Sequence, residues 1–292
     1  MAVLVKALQQ LIRRMRVLIY GARGWIGEQF VSLFKEHKIE FVIGTKKSNY
    51  EDEIKTSGCS HVIACIGRTH GGKFTTIDYL EQPGKLRENI NDNLYSPIII
   101  ANACREMNIH FTYLGTGCIF KYDDTMPPGG FSEESAINFY GSSYSTVKGF
   151  TDQILKSYDN VLNLRIRLPI TSQNNPRNLI TKITSYDKIC SVPNSVTVLP
   201  VMLPYILKMM EMQTSGTHNL TNPGVISHNE ILSMYRSIVD PKFTWDNFSE
   251  DEMTSKRSNT RLDTSKIEKM FPDIPGVKEA VRGCLLDSLK NS

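Results

Sequence analysis

The stretch Arg16 to Phe30, R-V-L-I-Y-G-A-R-G-W-I-G-E-Q-F, constrains this chain more than any other. A short apolar run, Val17 to Tyr20, stops at Gly21, and glycines return at Gly24 and Gly27. Ile26, Phe30, Val31, Leu33 and Phe34 then fall at helical spacing. The stretch reads as a buried strand, a tight turn, and a helix whose N-terminus faces the turn. Gly21 permits the turn, Gly24 lets a pyrophosphate approach the backbone, and Gly27 lets the helix pack closely on the sheet. The helix's free N–H groups and positive dipole end suit phosphates. Gly21, Arg23, Gly24, Trp25, Ile26 and Gly27 are therefore the expected cofactor contacts.

The next segments alternate between strand and helix. Phe41 to Gly44 reads as a second strand, leading into Thr45-Lys46-Lys47 with no acid to bond a ribose 2′-hydroxyl. Arg23 and Lys46 suit a 2′-phosphate, which favours NADPH over NADH; the alternative is that the lysines merely sit in a solvated turn. A third strand, His61 to Gly67, ends where the far side of a cofactor would lie, so Gly67 joins the expected contacts. Arg68 to Gly84 is irregular, a substrate loop or lid. Lys85 to Met107 carries one long helical pattern that includes Asn89, another expected cofactor contact. Phe111 to Leu114 is a fourth strand, a helix runs from about Ser143 to Tyr158, and Val161 to Leu168 is a fifth strand. Beyond Pro169 the rhythm changes, with helices near Leu203–Met212, His228–Ile238 and Val277–Leu289. The expected fold class is α/β, a Rossmann-type doubly wound parallel sheet with a smaller mixed C-terminal lobe. Its divisions are an extension over 1–15, a cofactor-binding domain over 16–170, and a substrate lobe over 171–292.

Composition narrows the class. A formal charge of +4 without a dense Lys/Arg block gives no nucleic-acid footprint. Six cysteines without a C-x-x-C pair read as reduced thiols, which points to a cytoplasmic chain and away from a disulfide framework or zinc site. No apolar run approaches membrane-spanning length. The first fourteen residues suit a short amphipathic helix but lack a signal peptide's apolar core. His61, His110 and His228 sit at element starts, and no histidine pair has metal-ligand spacing.

The chemistry centres on Tyr144-Ser145-Thr146-Val147-Lys148. On a helix the phenol and the ammonium share a face, and the cation is expected to lower the phenol's pKa. Tyr144 becomes the acid for a carbonyl undergoing reduction, and Lys148 also holds ribose hydroxyls. Thr116, at the end of the fourth strand, is expected to bond the same carbonyl oxygen. Tyr140 has no lysine four residues on and is not the acid.

The G-x-x-G-x-x-G loop, Thr116 and Tyr144/Lys148 together resemble extended short-chain dehydrogenases acting on nucleotide sugars. G-T-G-C-I-F-K-Y-D (115–123), N-P-R-N-L-I-T-K-I (175–183), V-P-N-S (192–195), T-N-P-G-V-I-S-H-N-E-I (221–231) and R-S-N (257–259) resemble a narrower group. That group is the bifunctional UDP-4-keto-6-deoxyglucose 3,5-epimerases/4-reductases of UDP-rhamnose synthesis, and the likeness runs from Arg16 to the C-terminus. The resemblance implies that Cys118 and Lys182 exchange ring protons at C3 and C5, and that Thr116 and Tyr144 stabilise the enolate at C4. Reduction then yields UDP-β-L-rhamnose. Arg177, Asn178, Arg257 and Asn259 are the expected substrate contacts, because Arg suits bidentate phosphate binding. A separate upstream 4,6-dehydratase would supply the substrate. Trp245 is either core or a uracil stacking partner, and a homodimer stands as one assembly option. The competing readings are a 4-reductase of the dTDP-4-dehydrorhamnose reductase type, or a non-catalytic NADP-binding regulator.

Overall fold

Six parallel strands carry the molecule. The computed structural model describes residues 15–45, 49–248 and 258–290. The sheet comprises β1 (Arg16–Tyr20), β2 (Glu40–Ile43), β3 (His61–Ala64), β4 (His110–Thr116), β5 (Val161–Ile166) and β7 (Gly216–Asn219). Its order is β2-β1-β3-β4-β5-β7, every neighbouring pair parallel. A smaller parallel pair joins β6 (Lys188–Ile189) to β8 (Asp246–Asn247). β2 and β3 flank β1 on opposite sides, so the order of winding reverses at β1, and a crevice opens outside the carboxyl ends there.

Both faces of the sheet are covered, which is why β1 reads as an unbroken apolar run from Val17 to Tyr20 and β4 is buried along its whole length. On one face, α1 (Trp25–Glu36) brings Phe30 and Phe34 against Val17, Ile19, Leu162 and Leu164. On the other, α2 (Tyr50–Ser57) and a helix over Ser96–Glu106 bring Ile54, Ile100 and Cys104 against Leu18, Val62 and Phe111.

The expected single helix over 85–107 is instead three pieces. α3 (Leu86–Ile90) passes through a π turn over Asn91–Tyr95 into α4 (Ser96–Glu106). Pro97 has no N–H to return to the carbonyl of Asn93. That carbonyl accepts from Thr151 Oγ1 at 2.6 Å instead, and Ser96 Oγ donates to the Asn91 carbonyl at 2.8 Å. Thr151 lies on α5 (Ser143–Leu155), so the irregular turn is paired across two elements.

After Leu168, a non-glycine residue with φ of 41°, come α6 (Leu179–Ile183), α7 (Leu199–Glu211), α8 (His228–Ile238), α9 (Ser265–Met270) and α10 (Val277–Lys290). A division at 170/171 does not separate the sheet from the C-terminal segments. β7 lies beyond it yet pairs with β5, and α7 packs Met202, Leu203 and Ile206 into the core that holds Phe30 and Phe34. The later segments also have a core of their own around Ile170, Leu179, Ile183, Val196, Ile231 and Val281. Trp245 belongs with that core: it packs on Phe243, lies under Arg236, and donates Nε1–H to Asn229 Oδ1 at 2.7 Å. The expected N-terminal amphipathic helix, Lys46 and Arg257 lie outside the described residues.

Candidate active site

Parallel pairing brings the ends of β1, β3, β4 and β5 to one edge, and the site is built from the residues just past those ends. Gly21 adopts φ +80°, and a Cβ there would stand 2.7 Å from the Cys65 carbonyl carbon. A Cβ on Gly27 would lie 2.1 Å from the Gly21 oxygen, so α1 starts where no side chain fits. Gly24 is the N-cap of α1 in extended conformation, and no side chain caps the helix. The first-turn N–H groups, beside a bare glycine backbone, fit a dinucleotide pyrophosphate. Trp25 is buried, Ile26 half-buried, and Arg23 and Gly67 are exposed. No acid stands next to β2 in sequence, but Glu53 of α2 reaches its end, accepting from the Thr45 N–H at 2.8 Å and Oγ1 at 2.9 Å.

Four of the expected catalytic residues come together. Thr116 ends β4, and its Oγ1 accepts from the Cys118 N–H at 3.1 Å while hydrogen-bonded to the Tyr144 phenol. Tyr144, in the first turn of α5 behind a Ser142 cap, faces the Cys118 sulfur, and Lys148 lies one turn on. The expectation that Lys148 lowers the phenol's pKa does not hold. Burial and the facing sulfur push Tyr144 up, with only the Thr116 hydrogen bond opposing. The Lys148 amine bonds the Tyr113 hydroxyl and the Leu114 carbonyl, the latter at 3.1 Å. Burial pulls it down to about 7, outweighing the opposing pull of Asp152 and Cys118.

Lys182 belongs to a different group. Burial and the neighbouring Arg177 hold its amine below the ordinary lysine range, with Asp78 opposing. Arg177 bonds His70 of the irregular 68–84 segment, and its Nη1 lies 4.0 Å from where a Gly24 Cβ would stand. Arg177, an expected substrate contact, therefore reaches the glycine loop, where a cation also suits phosphates. Asn178, another expected substrate contact, caps α6 and bonds within the chain. It is buried, accepts from the Thr171 and Ile180 N–H groups, and donates to the Thr171 and Gln173 carbonyls at 2.8 Å. Asn89 likewise spends its amide on Ser143 at 3.2 Å and accepts from Asn93 at 2.9 Å. Asn259 accepts from Asn194 at 3.0 Å.

Arg167 went unread in the sequence. It follows β5, is 2% exposed, and reaches the Cys118 sulfur at 3.5 Å. Its place just past a strand's carboxyl end was the available signal.

A doubly wound sheet, a bare glycine loop at its switch point, and a Thr–Tyr pair two strands over define a Rossmann-type nucleotide-dependent reductase. The chain belongs to the family described as the RmlD substrate binding domain, which matches residues 15–184. The L780 protein of Acanthamoeba polyphaga mimivirus is 49% identical over 280 residues, 92% of this chain and 96% of that one. The crystal structure of that virus's L780 UDP-rhamnose synthase superposes with a TM-score of 0.89 at 45% identity, covering 94% and 99% of the two chains. A bifunctional dTDP-4-dehydrorhamnose 3,5-epimerase/reductase of Arabidopsis thaliana is 40% identical over 276 residues, 90% of each chain. A dTDP-4-dehydrorhamnose reductase of Bacillus anthracis, solved with NADP, shares the fold at a TM-score of 0.78 and 18% identity, over 94% and 98%.

Proposed function

We propose that this chain converts UDP-4-keto-6-deoxy-D-glucose to UDP-β-L-rhamnose by 3,5-epimerisation through an enolate, then NADPH-dependent reduction of the C4 ketone. The contact of Thr116, Cys118 and Tyr144 carries the reading. A reductase needs only the two hydroxyls around a ketone oxygen; the thiol beside them is what ring epimerisation adds. The likeness over almost the whole chain to a UDP-rhamnose synthase and to a bifunctional epimerase/reductase supports the same reading, and the closer of the two favours uridine.

When bound, NADPH supplies the hydride that C4 receives. The residues fit it: Gly21, Gly24 and Gly27 clear the pyrophosphate, the uncapped start of α1 offers its N–H groups, and Arg177 adds a cation above the loop. Thr116 and Tyr144 polarise the ketone, which acidifies the protons at C3 and C5. Cys118 removes the ring proton from one face, and Lys182, an amine held below its ordinary range, delivers a proton from the other, which inverts the centre. Tyr144 then gives its proton to the C4 oxygen. Arg257 and Asn259 are the proposed contacts to the nucleotide. The 4-keto group must first be made by 4,6-dehydration of the nucleotide sugar, a separate reaction.

Purified protein with UDP-4-keto-6-deoxyglucose and NADPH in heavy water tests this. The expected product carries deuterium at C3 and C5, read by NMR. Cys118→Ala is expected to abolish that incorporation while NADPH still binds. A reduced sugar with no ring deuterium would leave a 4-reductase only.

A further inference from the structure

Three motifs far apart in the chain meet on one buried guanidinium. Arg167 Nη1 donates to Ser258 Oγ at 2.9 Å, to the Gly117 carbonyl at 3.4 Å, and to Cys118 Sγ at 3.5 Å. Nη2 donates to Asn194 Oδ1 at 2.5 Å and to the Ser258 carbonyl. Ser258 Oγ in turn donates to the Phe120 carbonyl at 2.6 Å, and Tyr122 ties the same segments through the Pro193 and Asn259 carbonyls. The segments G-T-G-C and V-P-N-S and the pair Ser258-Asn259 thus converge around Arg167. Among the described residues every one of its partners is an oxygen except one, the thiol, and none of them is a carboxylate, so these contacts leave the positive charge beside the sulfur.

We propose that Arg167 is a positioning residue for ring epimerisation, its guanidinium holding the Cys118 sulfur as the anion that removes ring protons. This role rests on the epimerase function proposed for the same pocket. The step balances within the pocket. The thiolate takes the proton from a ring carbon next to the ketone, the C–H electron pair becomes the C=C bond of the enolate, and the ketone oxygen takes the negative charge. Net charge is unchanged, so the guanidinium stabilises the state before transfer, while Thr116 and Tyr144 stabilise the state after it.

The other titratable groups facing the sulfur are Lys148 and Tyr144 on α5, and those facing Arg167 are Tyr122 and His228. Lys148 adds positive charge only while protonated, whereas a guanidinium keeps its charge throughout. The guanidinium stands within hydrogen-bond reach of the sulfur, where a fixed positive charge favours the anion.

Iodoacetamide labelling of Cys118, followed by peptide mass spectrometry from pH 5 to 9, reads the thiolate without any sugar present. In the wild-type chain the labelling limb is expected at lower pH than that of N-acetylcysteine in the same series. Arg167→Gln should move the limb up by about one unit and slow labelling at pH 7 about tenfold, whereas Arg167→Lys, which keeps a charge, should retain most of the wild-type behaviour. Deuterium exchange into the keto sugar should move along pH by the same amount. Its loss in Arg167→Gln should exceed the loss of NADPH oxidation with already epimerised UDP-4-keto-rhamnose by about tenfold. A wild-type limb that coincides with N-acetylcysteine overturns the proposal even if Arg167→Gln does not fold. So does a folded Arg167→Gln with an unmoved limb. Persistent ring deuterium in Cys118→Ala would instead overturn the thiol's part in epimerisation, whatever the labelling shows.

Discussion

The phenol of Tyr144 and the amine of Lys148 stand one helical turn apart on α5, yet neither titrates as that spacing alone suggests. Removing a charge's water costs more here than the neighbouring groups return, so the phenol moves up and the amine moves down to about 7. A phenol held in its neutral form is the form that can give a proton to an alkoxide. Tyr144→Phe removes that proton and one of the two bonds proposed to the ketone oxygen. NADPH oxidation by the keto sugar is expected to fall by at least about 10², read spectrophotometrically at saturating cofactor.

The π turn between α3 and α4 shows an element shaped by one residue and completed by another far along the chain. Pro97 lacks the N–H that would close this turn on the Asn93 carbonyl, but nothing local says where that carbonyl finds its partner. Thr151 supplies it, and its Oγ1 also bonds the Val147 carbonyl at 3.1 Å. Thr151→Val keeps the shape and leaves that buried carbonyl without a donor. The variant is expected to lose about 1–3 kcal/mol of stability, read as a lower urea midpoint at unchanged slope.

Across the whole sheet, buried imidazoles tie the strands to their surroundings. His61 Nε2 meets the Met210 carbonyl at the end of α7 at 3.1 Å, His110 meets that of Thr214 at 2.8 Å, and His218 lies in β7. Burial lowers His61 and His218 to about 4, from an ordinary value of 6.5. The unfolded chain therefore takes up protons near pH 6.5 that the folded chain refuses until about pH 4. Stability is full above pH 6.5 and is lost as pH falls through that window. Each of these two histidines contributes on the order of 3 kcal/mol to the loss. Thermal melts from about pH 7.5 to about pH 4.5 are expected to show a steep fall in Tm, and His61→Gln should flatten the curve.

The range of the forces involved decides how much of this was legible in residue order. The glycine spacing, the Tyr–Lys spacing and the strand-end threonine are short-range patterns. Backbone periodicity turns such patterns into geometry within a single turn or helix, so the loop, α5 and the end of β4 could all be read directly. Arg167 could not be read that way, because its meaning comes from Cys118, Asn194 and Ser258, which only the pairing of β4 with β5 and the packing of the later segments bring within reach. The same long-range contacts turned Asn178 inward, set Arg177 above the glycine loop, and carried β7 into a sheet that its position after residue 170 did not announce. Burial, likewise a property of the folded whole, reversed the shift expected for Tyr144. Local order wrote the elements and the cofactor loop; packing decided which side chains became neighbours, and so which of them carry charge.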